Sequence, residues 1–288
     1  MRRALLATVS SLSLSACILR PTLTDTFGFR PQAMGGDGPA PADWGWPSAR
    51  LDTMSRADSA AGLLAWWGPV QPGTSRCGGV LLLHGKGKNR AQMLPLGRTL
   101  QAAGFSVLLP DYRGYGGNIG RPTTEGVHDD AALAYRHLRT RLGDSLAPVI
   151  IIGHSMGTAL AARLTRAQRP TATIYISPFA RISSLVRSRA GMIGPRLFDT
   201  TTFAFNPLED AAQGRSRVMV VVAGRDLLIR QSESDAFIAG LARPPAVVRD
   251  PAASHDGILK SELILRVVGD SARAWSGCSV ASHRDRGV

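Results

Sequence analysis

"VIIIGHSMGTAL", residues 149 to 160, decides how the rest of the chain is read. Val149 to Ile152 is β-branched and apolar at every position, the pattern of a strand buried on both faces of a parallel sheet. From Thr158 to Arg166 the period becomes helical, with Ala159, Leu160, Ala161, Ala162 and Leu164 supplying a packing side. The change takes place inside Gly153-His154-Ser155-Met156-Gly157, a very tight strand-to-helix turn. Such a turn lifts the hydroxyl between the two glycines clear of the sheet edge.

The 288 residues suffice for one large α/β domain or two small ones, and an apolar fraction of 44% excludes a wholly disordered chain. The net charge is +13, and of 34 Lys and Arg only Lys86, Lys88 and Lys260 are lysines. The arginines lie singly or in short pairs, with no basic block and no reader motif. That pattern argues for a solvated surface, one suited to lie near anionic lipid, and against a nucleic-acid partner.

Around the central segment, strands and helices alternate. Strands are expected at Ala49–Thr53, Gly62–Trp67, Gly79–Leu83, Ser106–Leu109, Val149–Ile152, Thr171–Ile176, Val218–Val222 and Ala246–Arg249. Helices are expected near Met93–Ala103, Asp129–Leu142, Met156–Ala167, Ser232–Leu241 and Ile258–Gly269. Short, fully apolar strands alternating with helices predict an α/β fold with a mostly parallel sheet of about eight strands, covered on both faces. The first strands have no helix between them and predict an antiparallel edge. Residues 18 to about 47 are rich in Pro, Gly and small polar residues and read as a tether, whose Trp44 and Trp46 dock its end on the domain.

"GHSMG" fits G-x-S-x-G, the nucleophile elbow. Gly153 and Gly157 flank Ser155 because a Cβ at either place would strike a neighbouring element. A serine nucleophile needs a base, and the base needs an orienting group. Of six histidines, His154 is adjacent to Ser155 and points away, His137 lies in an outer helix, His128 packs beneath the site, and His283 lies in a polar tail. His84 falls in a glycine turn. His255 follows the last strand through a short loop, on the same sheet edge as Ser155, and is the expected base. Asp226, after the buried strand and Gly224, is the expected acid, with Asp250 and Asp235 as rivals. The oxyanion donors are assigned to the backbone N–H groups of Met156 and of Lys86, the latter in the turn His84-Gly85-Lys86-Gly87.

"LLLHGKG", "LLPDYRGYGGNIGRPTTEGVHDDAALAY", "IIGHSMGT", "VVAGRD" and "SHDGIL" together resemble successive blocks of the α/β-hydrolase superfamily, most closely its compact serine hydrolases. The resemblance covers about residues 48 to 270 and implies the α/β-hydrolase fold for a domain at 48–272, with 273–288 as a tail. In that group the loop holding Asp111, Tyr112 and Arg113 borders the site and is structural. About forty residues between the sixth and seventh strands are too few for a full lid, so a minimal cap is expected. Within them Met192, Ile193, Leu197, Phe198, Phe203 and Phe205 either line an acyl pocket or pack the core.

Residues 1–16 have a basic start and a short apolar run ending "LSAC", which resembles the lipobox of bacterial lipoprotein signal peptides. That resemblance implies lipidation of Cys17, a tether at 17–47, and a lipid-anchored protein of the cell envelope. In a Gram-negative cell it would face the periplasm from the outer membrane. Cys77 and Cys278 then form an even pair, either a disulfide or two buried thiols. No metal-ligand spacing and no nucleotide fingerprint is present, so no cofactor is expected. The resulting expectation is a serine esterase, of carboxylesterase or lysophospholipase type, that cleaves an ester, thioester or lipid-like substrate through an acyl-enzyme. A peptidase or an acyltransferase on the same fold, or a non-catalytic binding lipoprotein, are the alternatives.

Overall fold

The computed structural model describes residues 28–34, 40–56, 59–192 and 203–278. Cys17, Ile193, Leu197, Phe198 and His283 lie outside the described residues. Among the described residues there are eight strands, β1 (Arg50–Arg56), β2 (Ser59–Gly68), β3 (Gly79–Leu83), β4 (Ser106–Pro110), β5 (Val149–His154), β6 (Ala172–Ile176), β7 (Arg217–Ala223) and β8 (Ala246–Asp250). They form one sheet in the order β1-β2-β4-β3-β5-β6-β7-β8. β1 and β2 pair antiparallel with each other and β2 with β4, while β4 through β8 are parallel.

Period-2 geometry divides the apolar strand residues between two cores. Leu81, Leu83, Ile151, Val220 and Val222 face one side, against α2 (Thr124–Leu142) and α3 (Met156–Gln168). Val80, Leu82, Ile150, Ile152 and Val221 face the other, where Leu96 and Leu100 of α1 (Leu94–Ala102) and Ile264 and Val268 of α7 (Glu262–Trp275) cover them. Each such wholly buried aliphatic contributes about 1.5–3 kcal/mol. Between β6 and β7 lie two described helices, α4 (Ile182–Ala190) and α5 (Pro207–Gln213), and α6 (Gln231–Ala239) follows β7.

Helix starts differ from the sequence reading for capping reasons. α2 begins five residues before the expected Asp129, because the Thr123 hydroxyl accepts from Gly126 N–H at 3.1 Å. The stretch expected as a helix from Ile258 is instead a 3₁₀ turn, Gly257–Lys260, and α7 starts afresh behind the Ser261 cap and runs to Trp275. Cys278, just beyond α7, is joined to Cys77, with Cα atoms 5.2 Å apart. Trp46 is buried and donates to Gln101 at 2.7 Å, whereas Trp44 is exposed on one side and meets the Trp66 ring at 6.0 Å.

The strand order places the site. From β3 the chain steps outward to β4, and β5 then returns to the other side of β3, so β3 and β5 flank a topological switch point. Such a crevice, at the carboxyl ends of the strands, is where open α/β sheets hold their ligands. Leu83 is in register with Gly153, which sets the loop after β3 beside the turn after β5.

Candidate active site

Ser155 adopts φ 53°, ψ −121°, a left-handed conformation that costs a non-glycine residue about 1–3 kcal/mol. Its surroundings hold it there. Ser155 N–H donates to Ile176 carbonyl oxygen at 3.0 Å, and the Thr158 hydroxyl donates to the Ser155 carbonyl at 2.6 Å. A Cβ on Gly153 would lie 2.2 Å from the Gly157 carbonyl oxygen, and one on Gly157 would lie 2.2 Å from that of Leu83. Only glycine fits either place. Met156 opens α3, so its N–H has no acceptor within the helix and the positive end of the dipole faces Ser155.

His255 Nδ1 lies 2.7 Å from Asp226 Oδ2. The other oxygen of Asp226 accepts from the N–H groups of Leu228, at 2.8 Å, and Ile229, at 2.6 Å. Burial alone would push this carboxyl up, but the hydrogen bond and charge of His255 and the Ile229 N–H outweigh it and hold it below the usual carboxylate range. An ionised Asp226 fixes the proton of a neutral His255 on Nδ1, leaving Nε2 as an acceptor. The loops that carry the two residues touch: Arg225 N–H donates to Ala253 carbonyl at 2.9 Å, and a Cβ on Gly224 would lie 2.5 Å from Pro251 Cα. The rival carboxylates are occupied elsewhere. Asp250 caps its own turn and takes the Ser261 hydroxyl at 2.5 Å, and Asp235 pairs with Arg249 at 2.7 Å.

Among the described residues, Ser155 Oγ has no hydrogen-bond partner, His255 included, although both line one cavity of about 390 Å³. Lys86 lines it too, on the loop after β3. The far side of that loop is tied down, since Tyr112 donates to the His84 carbonyl at 3.1 Å and Tyr115 to the Lys86 carbonyl at 2.8 Å. A Cβ built on Gly85 would approach the Ser155 Cβ to 3.4 Å.

Two further side chains knit the site together. Gln92 Oε1 accepts from Gly85 N–H at 2.9 Å while its Nε2 donates to Asp256 at 3.0 Å, joining the loop after β3 to the loop of His255. His154 donates from Nε2 to the His255 carbonyl at 2.9 Å, with the two rings 4.6 Å apart. Burial, then the neighbouring His255, push His154 down to about 3, so it stays neutral. Gln92 escaped the sequence reading because the helix was started at Met93. The Asn89 side chain, which caps a preceding 3₁₀ turn at Arg90–Met93, was the signal available.

On the other side of Ser155 is a narrow apolar slot walled by Phe179, Ile182, Leu185, Phe203 and Ile229. Of the residues expected either at an acyl pocket or in the core, Phe203 lines this slot, Phe205 is buried in the core and Met192 is exposed. His128 is pushed down to about 3 by burial and Arg163, and packs on Phe205 at 5.5 Å. His137 pairs with Asp52 at 2.9 Å. Among the described residues, His154, His255 and Asp256 bring possible metal-ligand atoms within 4.8 Å of one another. Each ring already commits one nitrogen, to a carbonyl in His154 and to Asp226 in His255.

A mostly parallel sheet in this order, with a glycine-flanked serine at the end of its fifth strand, is the α/β-hydrolase fold. Residues 74–202 match a family described as serine aminopeptidase, S33. An uncharacterized protein of Mycobacterium tuberculosis is 29% identical over 243 residues, covering 82% of this chain and 85% of that one. The lysophosphatidylserine lipase ABHD12 of Gallus gallus is 36% identical over 126 residues, or 41% of this chain and 32% of that protein. The Pyrococcus furiosus esterase Pf2001 superposes with a TM-score of 0.69 at 19% identity, covering 86% of this chain and 97% of that one.

Proposed function

We propose that the protein is a serine hydrolase that cleaves a carboxylic ester, thioester or lipid-like substrate through an acyl-enzyme. The observation that carries this reading is the 2.7 Å contact of His255 with Asp226 beside a serine strained outward into the same cavity. His255 Nε2 takes the Ser155 proton as Oγ attacks the acyl carbon. The tetrahedral oxyanion is held by the Met156 and Lys86 N–H groups. Its collapse breaks the bond to the leaving oxygen or sulfur, which departs with the proton from His255. Water, deprotonated by the same ring, then releases the acid and restores Ser155. The slot, about 20 Å³ in volume, matches the acyl side of such a substrate in the apolar character of its walls. An aminopeptidase reading is disfavoured by charge, because the cavity that would seat a protonated amino terminus is lined by Arg30, Lys86 and Lys88 beside one carboxylate, Asp256.

The test is fluorophosphonate labelling with turnover of p-nitrophenyl esters of increasing acyl length. Wild type should label and turn over, and Ser155→Ala should lose the label and about 10⁴-fold or more of turnover. A folded wild type that takes no label would overturn the proposal in favour of a binding role. We further propose that Cys17 is lipidated and holds the domain at the cell envelope. Among the described residues no helix is long and apolar enough to cross a membrane. Cys17→Ser should move the protein out of the membrane fraction.

A further inference from the structure

We infer that Gln92 is a positioning residue, whose carboxamide holds the oxyanion turn after β3 in register with the loop that carries His255. This rests on the hydrolytic reading above and names a residue on which its rate depends.

The two halves of the site arrive from strands that do not touch. The turn His84–Gly87 follows β3 and the His255 loop follows β8, and β5, β6 and β7 lie between those strands in the sheet. Strand pairing therefore does not set one loop directly against the other. Gln92, in the 3₁₀ turn ahead of α1, spans the gap. Its Oε1 accepts from Gly85 N–H at 2.9 Å, and its Nε2 donates to Asp256 Oδ1, one residue past the base, at 3.0 Å. One partner is a donor and the other an ionisable acceptor, so a side chain serving both needs an acceptor and a donor on one planar group. A carboxamide has both. An ionised carboxylate or an ammonium has one.

Gln92 grips the residue that aims the oxyanion donor. The Gly85 carbonyl accepts from His84 Nδ1 at 2.8 Å, so with Gln92 in place both backbone polar groups of Gly85 are committed. That carbonyl and the Lys86 N–H belong to one trans peptide and point in opposite directions, so fixing the first directs the second. Gly85 also lies against the nucleophile, since a Cβ there would stand 3.4 Å from both the Ser155 Cβ and Gln92 Oε1. At the far end Asp256 is exposed. Its other oxygen lies 3.6 Å from the Lys88 ammonium, a solvated pair that constrains the loop little. The amide is therefore the firmer of the two links from Asp256 to the loop after β3.

The experiment measures kcat and KM per folded molecule for p-nitrophenyl butyrate in the full-length protein. Gln92→Ala should lower kcat about 30-fold, less than outright loss of an oxyanion donor, with KM within about twofold of wild type. Gln92→Glu keeps an acceptor for Gly85 but sets a carboxylate against Asp256, and should be slowed about as much. The double variant Gln92→Glu/Asp256→Asn exchanges donor and acceptor at the second contact. It restores both hydrogen bonds and should recover to within about threefold of wild type. Should Gln92→Ala fail to fold, the Gln92→Glu variant and its rescue decide the matter. Wild-type kcat in Gln92→Ala, or a double variant as slow as Gln92→Glu, would overturn the positioning role and leave the hydrolytic reading standing. A raised KM at unchanged kcat would overturn it too, making Gln92 a substrate contact. No turnover by a folded wild type would overturn both.

Discussion

Asp111 and Asp226 each follow a parallel strand at the same sheet edge, and each reaches a histidine. Asp111 lies 3.2 Å from His84 Nε2, with both side chains wholly buried. It also takes the Arg90 backbone N–H at 2.6 Å and the Arg90 guanidinium, which in turn sits 5.3 Å above the Trp66 ring. His84 is closed in by Tyr112, stacked at 4.2 Å. Asp226 lies 2.7 Å from a histidine that is 15% exposed on a cavity shared with Ser155. The difference is what the rest of the imidazole faces. Sealed among aromatic rings, the first pair braces the loop after β3. Open to the cavity, the second has a nitrogen left for chemistry.

The two aspartates should therefore fail in different ways. The largest effect is expected from Asp226→Asn. The amide oxygen can still accept from Leu228 and Ile229, so the thermal midpoint should fall only by the small contribution of the ionised carboxylate. The amide nitrogen, however, would present a donor to His255 Nδ1 and force the ring proton onto Nε2. Ester turnover should fall about 10⁴-fold, the size of the wrong-tautomer effect in serine proteases. A loss under tenfold would break the comparison.

Asp111→Asn should instead be read in stability. It leaves the buried Arg90 guanidinium without its counter-charge, which typically costs about 3–5 kcal/mol. Urea unfolding followed by circular dichroism measures it, and turnover per folded molecule should change far less than in Asp226→Asn. A stable but inactive Asp111→Asn would assign Asp111 to the chemistry.

The smallest effect concerns acid. Because Asp226 is held below its unfolded-state pKa of about 3.9, its ionised form contributes stability at higher pH. That contribution is lost as pH falls through the depressed value. The urea midpoint of wild type should therefore drop more steeply than that of Asp226→Asn below about pH 4. Parallel curves would mean that the carboxylate is not held by His255 in solution.

Much of this organisation is local and can be read along the chain. Val149 to Ile152 reads as a doubly covered strand because every position is apolar, and β5 runs there, on to His154. The flanking glycines of Ser155 are legible because steric exclusion acts on single residues. The helix starts were read less well, since Thr123 and Ser261 act through side-chain caps that apolar periodicity does not register. Gln92 has a second reason for being missed: its partners, Gly85 and Asp256, lie 7 and 164 residues away.

The sequence by itself determined the alternation of strand and helix, the antiparallel edge and the turn that raises Ser155, because periodicity and backbone sterics act over a few residues. Tertiary structure alone decided that β4 lies outside β3, that Cys77 meets Cys278, and that Phe29 and Arg30 lie across the site. Asp226, already preferred to Asp250 and Asp235 on the sequence, is the carboxylate it brings to His255. Those outcomes depend on which strand ends the crossovers bring together, and contacts across such separations leave no period in the chain to read.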